Sequence, residues 1–467
     1  MWTWTMALAA LVMADTPPQK PLSPAPTEAG KAAAVAWLKA DAHLFSGADA
    51  PSDELKPIAD RLAGARVIGL GEATHGDHED QQFKANLIKQ LVRDGDVTAV
   101  VLEANRDAAE GFDAYVRRGD GDPVALLRSP SVFRVTRDEE FASLLVWLRA
   151  WNQTTDHPVR IFGIDDQDAG RDASLALALI SRHDPALAAR LKAPFTGLIP
   201  ADGKTFPKAS YWVIGQTTAQ IAMLQAAART LSDTVIAHKA DWGHDPGYTD
   251  AAYAAEVAWQ CFNIFEKQGK DAPAGVELSG SYYARRDIFM AKNLLHRLAD
   301  GERAVIWAHD GHVADTLPPA YEAAGGSSLG RELHGAIGGA YRGLGTTWSQ
   351  GRVNAVAGPM DKIRSDMPET AIAVTNDGPR GIGSVFNPLS GPAAWVDLKA
   401  RPHTPELDQW VKSDYFFGQA GWGLDPATFQ TDPPGAPDEV LPVDQGFDVL
   451  VWFRVITPAR RLPERPR

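Results

Sequence analysis

A chain of 467 residues, 45% hydrophobic and 22% charged, has the composition of an ordinary folded protein and room for about one to three domains. Its formal net charge of -13 argues against a nucleic-acid partner and offers anionic lipid no basic patch, so a small neutral or cationic substrate suits its field better. Cys261 is the single cysteine, which excludes an intramolecular disulfide and a cysteine metal cluster.

In chain order, residues 1–16 carry an apolar run of Trp, Met, Ala, Leu and Val that ends near Ala14, ahead of a Pro-rich stretch. This pattern reads as a secretory signal and places the mature protein in the periplasm or outside the cell. The run is too short to span a bilayer, so no membrane integration is expected. Residues 17–30 read as a linker, and 31–460 as one α/β domain. The domain is expected to be a mainly parallel central sheet flanked by helices, with a helical insertion at about 170–300.

Arg66 to Ala104 is the organising stretch. A short strand, Val67 to Leu70, runs into glycines and then Glu72, Thr74, His75, His78 and Glu79. Helical spacing of Phe83, Leu87, Ile88, Leu91 and Val92 follows, and a second strand, Val97 to Leu102, delivers Glu103. A strand, helix, strand unit predicts parallel strands whose carboxyl ends share one edge, where open α/β sheets bind ligands. Helices are predicted at Ala108 to Arg118, Ala125 to Ser129 and Glu139 to Trp151, and a strand at Val159 to Ile164 that ends in Asp165 and Asp166. The insertion reads as a helical hairpin, Tyr211 to Lys239 and Ala251 to Gln268, forming either a pocket wall or a plain cover for the sheet. A helix at Arg285 to Leu298 leads into the strand Arg303 to Trp307, which ends in His309, Asp310, Gly311 and His312. Gly330 to Ile337 as helix, then Tyr341 to Trp348 and Phe447 to Phe453 as strands, complete the pattern. The Pro- and Gly-rich stretches Gly378 to Pro392 and Gly418 to Ala436 read as too polar and broken for a core.

Four strand ends therefore carry ionisable groups: Glu72 with His75, Glu103, Asp165 with Asp166, and His309 with His312. A neutral imidazole takes a proton from water near pH 7, and a carboxylate fixes its tautomer or accepts charge. The set allows hydrolysis with no covalent intermediate. In that reading His75, oriented by Glu72 or Glu103, deprotonates water. Protonated His309, Arg286 or backbone N–H groups near Gly71 to Gly76 would hold the oxyanion.

The stretches GLGEATHGDHEDQQFKANLIKQLV, VVLEAN, IFGIDDQD, RRDIFMAKNL and IWAHDGHVAD, in order from about Arg66 to Phe453, resemble the signature segments of the erythromycin esterase family. The resemblance implies an α/β fold with helical additions and metal-free, cofactor-free opening of a macrolide lactone. It makes His75 the general base, sets Glu72, Glu103 and His309 around the same cleft, and matches Arg286 and Asp287 to the family's RD segment. Arg286, Asp287, His312, Asp165, Asp166 and His78 are then expected to contact the small ester or lactone substrate. The sequence departs from the family at DHEDQQFK, where an aromatic residue and an Arg are usual, and at Asp310, where Asn is commoner.

Three other chemistries compete. Glu72, His75, Glu103, His309 and His312 could form a divalent-metal site with an open water position, although their spacing follows no compact motif. Gly326 to Gly330 spells the G-x-S-x-G of a serine hydrolase, but no strand precedes it, so Ser328 reads as a helix cap. A non-catalytic small-molecule binding protein could use the same groups. The glycines at 69, 71 and 76 lack the Lys-Ser/Thr of a phosphate loop, and acidic residues crowd them.

Overall fold

The computed structural model describes residues 26–463 except 205, 273–280, 318–321, 323–324, 360–361, 365–366, 419 and 428–439, and omits the side chains of 281–284. The expected signal and most of the linker lie outside the described residues. The strands are β1 (His43–Phe45), β2 (Val67–Leu70), β3 (Ala99–Asn105), β4 (Arg160–Asp165), β5 (Ala304–Trp307) and β6 (Tyr341–Ala357). They continue with β7 (Thr370–Thr375), β8 (Ala393–Asp397), β9 (Asp414–Phe416), β10 (Gly423–Leu424), β11 (Val440–Pro442) and β12 (Val449–Ile456).

The main sheet runs in the order β1, β8, β12, β6, β2, β5, β3, β4, with β7 and β10 both paired to β6. From β12 to β4 every neighbour is parallel, while β8 runs antiparallel to β12 and β1. The strands β2 and β3 are parallel as expected but do not touch, because β5 lies between them. Register then fixes the site. Leu70 sits opposite Trp307, Trp307 opposite Leu102, and Leu102 opposite Gly163, so the residues just beyond this rung leave the sheet at one edge. These include Glu72, Glu103, Asp165 and His309.

Both faces of the sheet are covered, which explains why its central strands are apolar throughout rather than alternating. One face packs Ile68, Val100 and Val305 under Leu62, Phe83, Phe112 and Leu145, from the helices Ser52–Leu62, His78–Arg93, Arg106–Arg118 and Glu139–Asn152. The other packs Val67, Val101 and Ile306 under the helices Glu28–Asp41, Ser281–Arg297, Leu329–Ile337 and Pro405–Val411. A third cluster, with Leu177, Phe195, Leu231 and Phe262, joins the helices Ala169–His183, Thr218–Ala237 and Tyr248–Ile264 to one another. Deleting a fully enclosed ring such as Phe83 costs about 3–5 kcal/mol, because the cavity collapses only in part.

Three expectations need correction. The helix Ser281–Arg297 falls within 170–300, yet Met290, Ala291 and Leu294 pack into the sheet core rather than the helical cluster. The stretch Gly378 to Pro392 is not all surface loop, since Ile382, Val385 and Phe386 are buried. Strand β6 runs on past Trp348 to Ala357, where β7 pairs with its far half.

Candidate active site

Close backbone approach explains the glycines after β2. A Cβ on Gly71 would lie 1.9 Å from Asp310 Oδ1, and one on Gly76 would lie 2.2 Å from the Asn354 carbonyl oxygen. The loop between them turns Glu72 and His75 over the sheet edge. Asp77 then starts the helix His78–Arg93 by accepting from the Asp80 N–H at 2.9 Å.

Glu72 is 3% exposed and its two carboxylate oxygens have different partners. Oε1 bonds Nδ1 of His75, while Oε2 accepts from Lys84 Nζ and from Gln81 Nε2, the latter at 2.9 Å. Burial alone would raise the Glu72 pKa; the Lys84 ammonium and the His75 bond reverse this and hold it at about 2. Lys84 is fully enclosed, with Nζ 4.2 Å from the centre of the Trp307 ring. Gln81 and Lys84 are three residues apart on one helix face and both reach Glu72. Neither was singled out in the sequence; the signal was two polar groups breaking the face that Phe83, Leu87 and Leu91 make apolar.

His75 and Glu72 line a cleft with Glu103, Gln81, Phe133, Val135, Thr136 and Trp307 among its walls. Glu103 Oε1 accepts from Arg286 Nη2 at 2.8 Å and lies 3.1 Å from His312 Nε2, and Oε2 accepts from the His309 N–H at 3.0 Å. Burial opposes its ionisation, but His312 and Arg286 outweigh burial and hold its carboxyl well below the ordinary range. Behind it Arg286 forks onto Asp165, through Nε at 3.1 Å and Nη2 at 2.7 Å. His312 Nδ1 meets Asp287 at 2.8 Å, and Asp287 also accepts from the Leu329 N–H at 2.8 Å. Burial would lower the His312 pKa, but Asp287 and Glu103 raise it to about 10. The charged ring cannot accept from Arg286 Nη1, 3.0 Å from Nε2, so its Nε2 proton belongs to Glu103.

The structure sorts the expected site residues into three places. Glu72, His75 and Glu103 face the cleft. Arg286, Asp287 and Asp165, all buried, and the half-buried His312 form an ion network behind Glu103, where substrate contact was expected of them. His309 sits 4.9 Å from His75, ring centre to ring centre, but not as a cation. Its Nδ1 accepts from the Gly311 N–H at 3.2 Å and its Nε2 lies 3.2 Å from the Ala73 carbonyl, while burial and His75 push its pKa to about 3. Both contacts suit the neutral ring, so the arrangement favours a neutral His309 over a protonated one holding an oxyanion.

Two residues leave the group altogether. His78 turns to the neighbouring helix, where Nδ1 meets Glu140 Oε1 at 2.6 Å. Asp166 is fully buried, and among the described residues neither of its carboxyl oxygens has a hydrogen-bond partner. Burial and the adjacent Asp165 push its pKa well up, and with no exposed surface it does not face a substrate. Asp310 is also fully buried and is raised by burial and by Asp80. As a neutral acid accepting from the Thr346 N–H at 3.3 Å, it is nearly isosteric with the Asn commoner at this position.

Ser328 is the N-cap of the helix Leu329–Ile337, with Oγ donating to the Ala314 carbonyl at 2.6 Å, and among the described residues no strand leads into it. Among the described residues no three His, Cys, Asp or Glu side chains are grouped to hold a metal ion, and no helix is long and apolar enough to cross a membrane.

A sequence profile described as erythromycin esterase matches residues 92–456, a span that takes in Glu103, Asp165, Arg286 and His309 but begins after Glu72 and His75. Erythromycin esterase type II of Escherichia coli is 22% identical over 348 residues, covering 70% of this chain and 79% of that protein. Erythromycin esterase type I of Escherichia coli is 25% identical over 114 residues, 24% of this chain and 27% of that protein. In three dimensions a Bacillus cereus protein of solved structure superposes with a TM-score of 0.75 at 23% identity, over 93% of this chain and 99% of the other. An erythromycin esterase mutant in its open conformation superposes with a TM-score of 0.65 at 16% identity, over 89% of this chain and 96% of the other. The fold is shared throughout, and the profile spans more than half of the sequence: the chain belongs to the erythromycin esterase family.

Proposed function

We propose that the protein hydrolyses carboxylic esters or lactones with a water activated by His75. The observation that carries this reading is the Glu72 pair. One oxygen engages Nδ1 of His75 while Lys84 and Gln81 anchor the other, at the mouth of the cleft that Glu103 also lines. With Nδ1 donating to an ionised carboxylate, Nε2 carries the lone pair and is the basic nitrogen. Glu103 has four acceptor sites, of which Arg286, His312 and the His309 N–H fill three. The fourth, on Oε2, accepts one hydrogen of the attacking water while His75 Nε2 removes the other.

The water oxygen attacks the carbonyl carbon, and the C–O bond to the leaving alcohol breaks as the protonated His75 returns its proton to that oxygen. No covalent enzyme intermediate is needed. Glu72, held ionised, stabilises the imidazolium between the two proton transfers. Lactone opening is the same step with both products on one molecule, and the macrolides named by the relatives belong to this class.

The test is incubation of the purified protein with erythromycin, simple lactones and aryl esters, with and without chelator, followed by mass spectrometry. Gain of one water by any of them, undiminished by chelator, is the expected result. Hydrolysis lost to chelator and restored by one divalent ion would replace the His75 base with a metal mechanism.

A further inference from the structure

The chain beyond β12 is bonded to two separate parts of the cleft. Towards the loop that carries His75, the Thr457 carbonyl accepts from the His78 N–H at 2.7 Å, and the Ala459 N–H donates to the Gly76 carbonyl at 2.9 Å. Towards the other part, the Arg460 carbonyl accepts from the Glu139 N–H and the Leu462 N–H donates to the Arg137 carbonyl, both at 2.9 Å. Residues 457–462 thus strap the His75 loop to the segment that runs from Val135 and Thr136, in the cleft wall, into the helix Glu139–Asn152.

One side chain of this strap reaches both parts by itself. Arg461 Nη2 donates to the carbonyl of His75 at 3.0 Å, and Nη1 donates to the carbonyl of Val135 at 2.6 Å. Nε donates to Glu369 Oε2 at 2.9 Å, and Asp138 Oδ2 lies 3.4 Å from Nη1. Glu369, just ahead of β7, also pairs with Arg134 at 3.2 Å, so it orients the guanidinium and ties it to the wall segment a second time. A planar fork satisfies these acceptors together, each nitrogen serving its own, whereas an ammonium offers all its donors from one point. Arg461 is half-buried and does not line the cleft, so it acts on the reaction only through the groups it holds.

We propose that Arg461 is a positioning residue, which sets the backbone of His75 and fixes the gap between this base and the Val135–Thr136 wall. Through that gap it selects the size of ester that the cleft takes. The proposal rests on the hydrolytic reading for the role of His75, but the clamp on His75 does not. Glu72 decides which imidazole nitrogen is basic; Arg461 decides where that nitrogen stands. A base displaced by about 1 Å loses on the order of 10²-fold in rate, and a wall freed from its tie at Val135 leaves more room for a bulky acyl group.

The experiment measures kcat and KM for para-nitrophenyl acetate and para-nitrophenyl cyclohexanecarboxylate on the full chain and on Arg461→Met, Arg461→Lys and Glu369→Gln. Arg461→Lys keeps a positive charge beside Asp138 and Glu369, and so guards against loss of folding in Arg461→Met. In parallel, the low-field proton resonance of the His75 imidazole N–H, assigned by its absence from His75→Asn, is recorded in each protein. In both Arg461 variants kcat for the acetate should fall on the order of 10²-fold. The bulky ester should lose less, so its kcat/KM relative to the acetate rises by about threefold or more. Loss of folded protein would scale both esters by one factor and leave that ratio alone. The His75 resonance should move or broaden, and Glu369→Gln should show the same changes in smaller degree. An unchanged ester ratio or an unchanged His75 resonance in folded Arg461→Lys would overturn the proposal. If the unaltered protein hydrolyses neither ester nor any other, the hydrolytic reading falls and the resonance alone decides whether Arg461 holds His75: moved, the clamp stands; unmoved, it falls too.

Discussion

Glu72 Oε1 bonds Nδ1 of His75, and this contact decides which imidazole nitrogen can act as a base. Ionisation of Glu72 in a buried place depends in turn on Lys84, whose ammonium reaches the other oxygen. A base, its orienting carboxylate and the cation that keeps it ionised thus sit on one loop and the helix that follows.

Removing that cation should be costly. Lys84→Met leaves a charged or newly protonated Glu72 with no counter-ion, and breaking one side of a buried pair costs about 3–5 kcal/mol. Urea denaturation of Lys84→Met should show a loss of that order. Stability equal to that of the unaltered protein would mean that Glu72 does not need Lys84.

The dependence of stability on pH has opposite signs at the two ends of the site. His312 is raised to about 10, so its contribution is fully present below about 6.5 and is lost as the pH rises through 10. Glu72 is lowered to about 2, so its contribution is present above the ordinary carboxylate value and is lost as the pH falls towards 2. Stability curves of the protein and of His312→Gln should therefore differ most below about pH 6.5 and converge towards pH 10. A gap that widens with rising pH would contradict the charge state of His312.

Asp310 carries the same sign as His312 for a different reason. Its pKa is raised by burial, so folding favours the protonated acid and stability is lost as the pH rises. Asp310→Asn, which needs no proton, should melt like the parent in acid and above it at neutral pH. Thermal melts at several pH values check this.

Ser328→Ala should leave hydrolysis unchanged. The variant loses a helix cap and the bond to the Ala314 carbonyl, which together cost about 1–2 kcal/mol. Turnover abolished in a protein that remains folded would return the serine mechanism to consideration.

Much of this was legible in the sequence because it is local. The apolar runs that became β2, β3, β4 and β5, the glycines at 71 and 76, and the acidic or histidine residue just past each strand are all visible without the fold. What sequence could not supply is the partner of each charged group. His312 lies three residues after His309 in the chain, yet one is raised to about 10 and the other lowered to about 3, because Asp287 and Glu103 enclose the first while the second lies in a buried place beside His75. Asp165 and Asp166 are adjacent and diverge for the same reason, one bonding Arg286 while the carboxyl oxygens of the other have no hydrogen-bond partner among the described residues. The strand order escaped too: β5 enters between β2 and β3 from about 200 residues downstream, and local pattern carries no trace of such insertion. The short β8 and the buried Phe386 were missed because Pro and Gly around them masked an apolar core of a few residues.

The most direct test of the account is the hydrolysis rate of His75→Asn against the unaltered protein, on the ester or lactone that the unaltered protein turns over fastest. A fall of about 10²–10⁴ in kcat, with the melting temperature preserved, is the result the account predicts. Equal rates in the two proteins would contradict it and move the base away from His75.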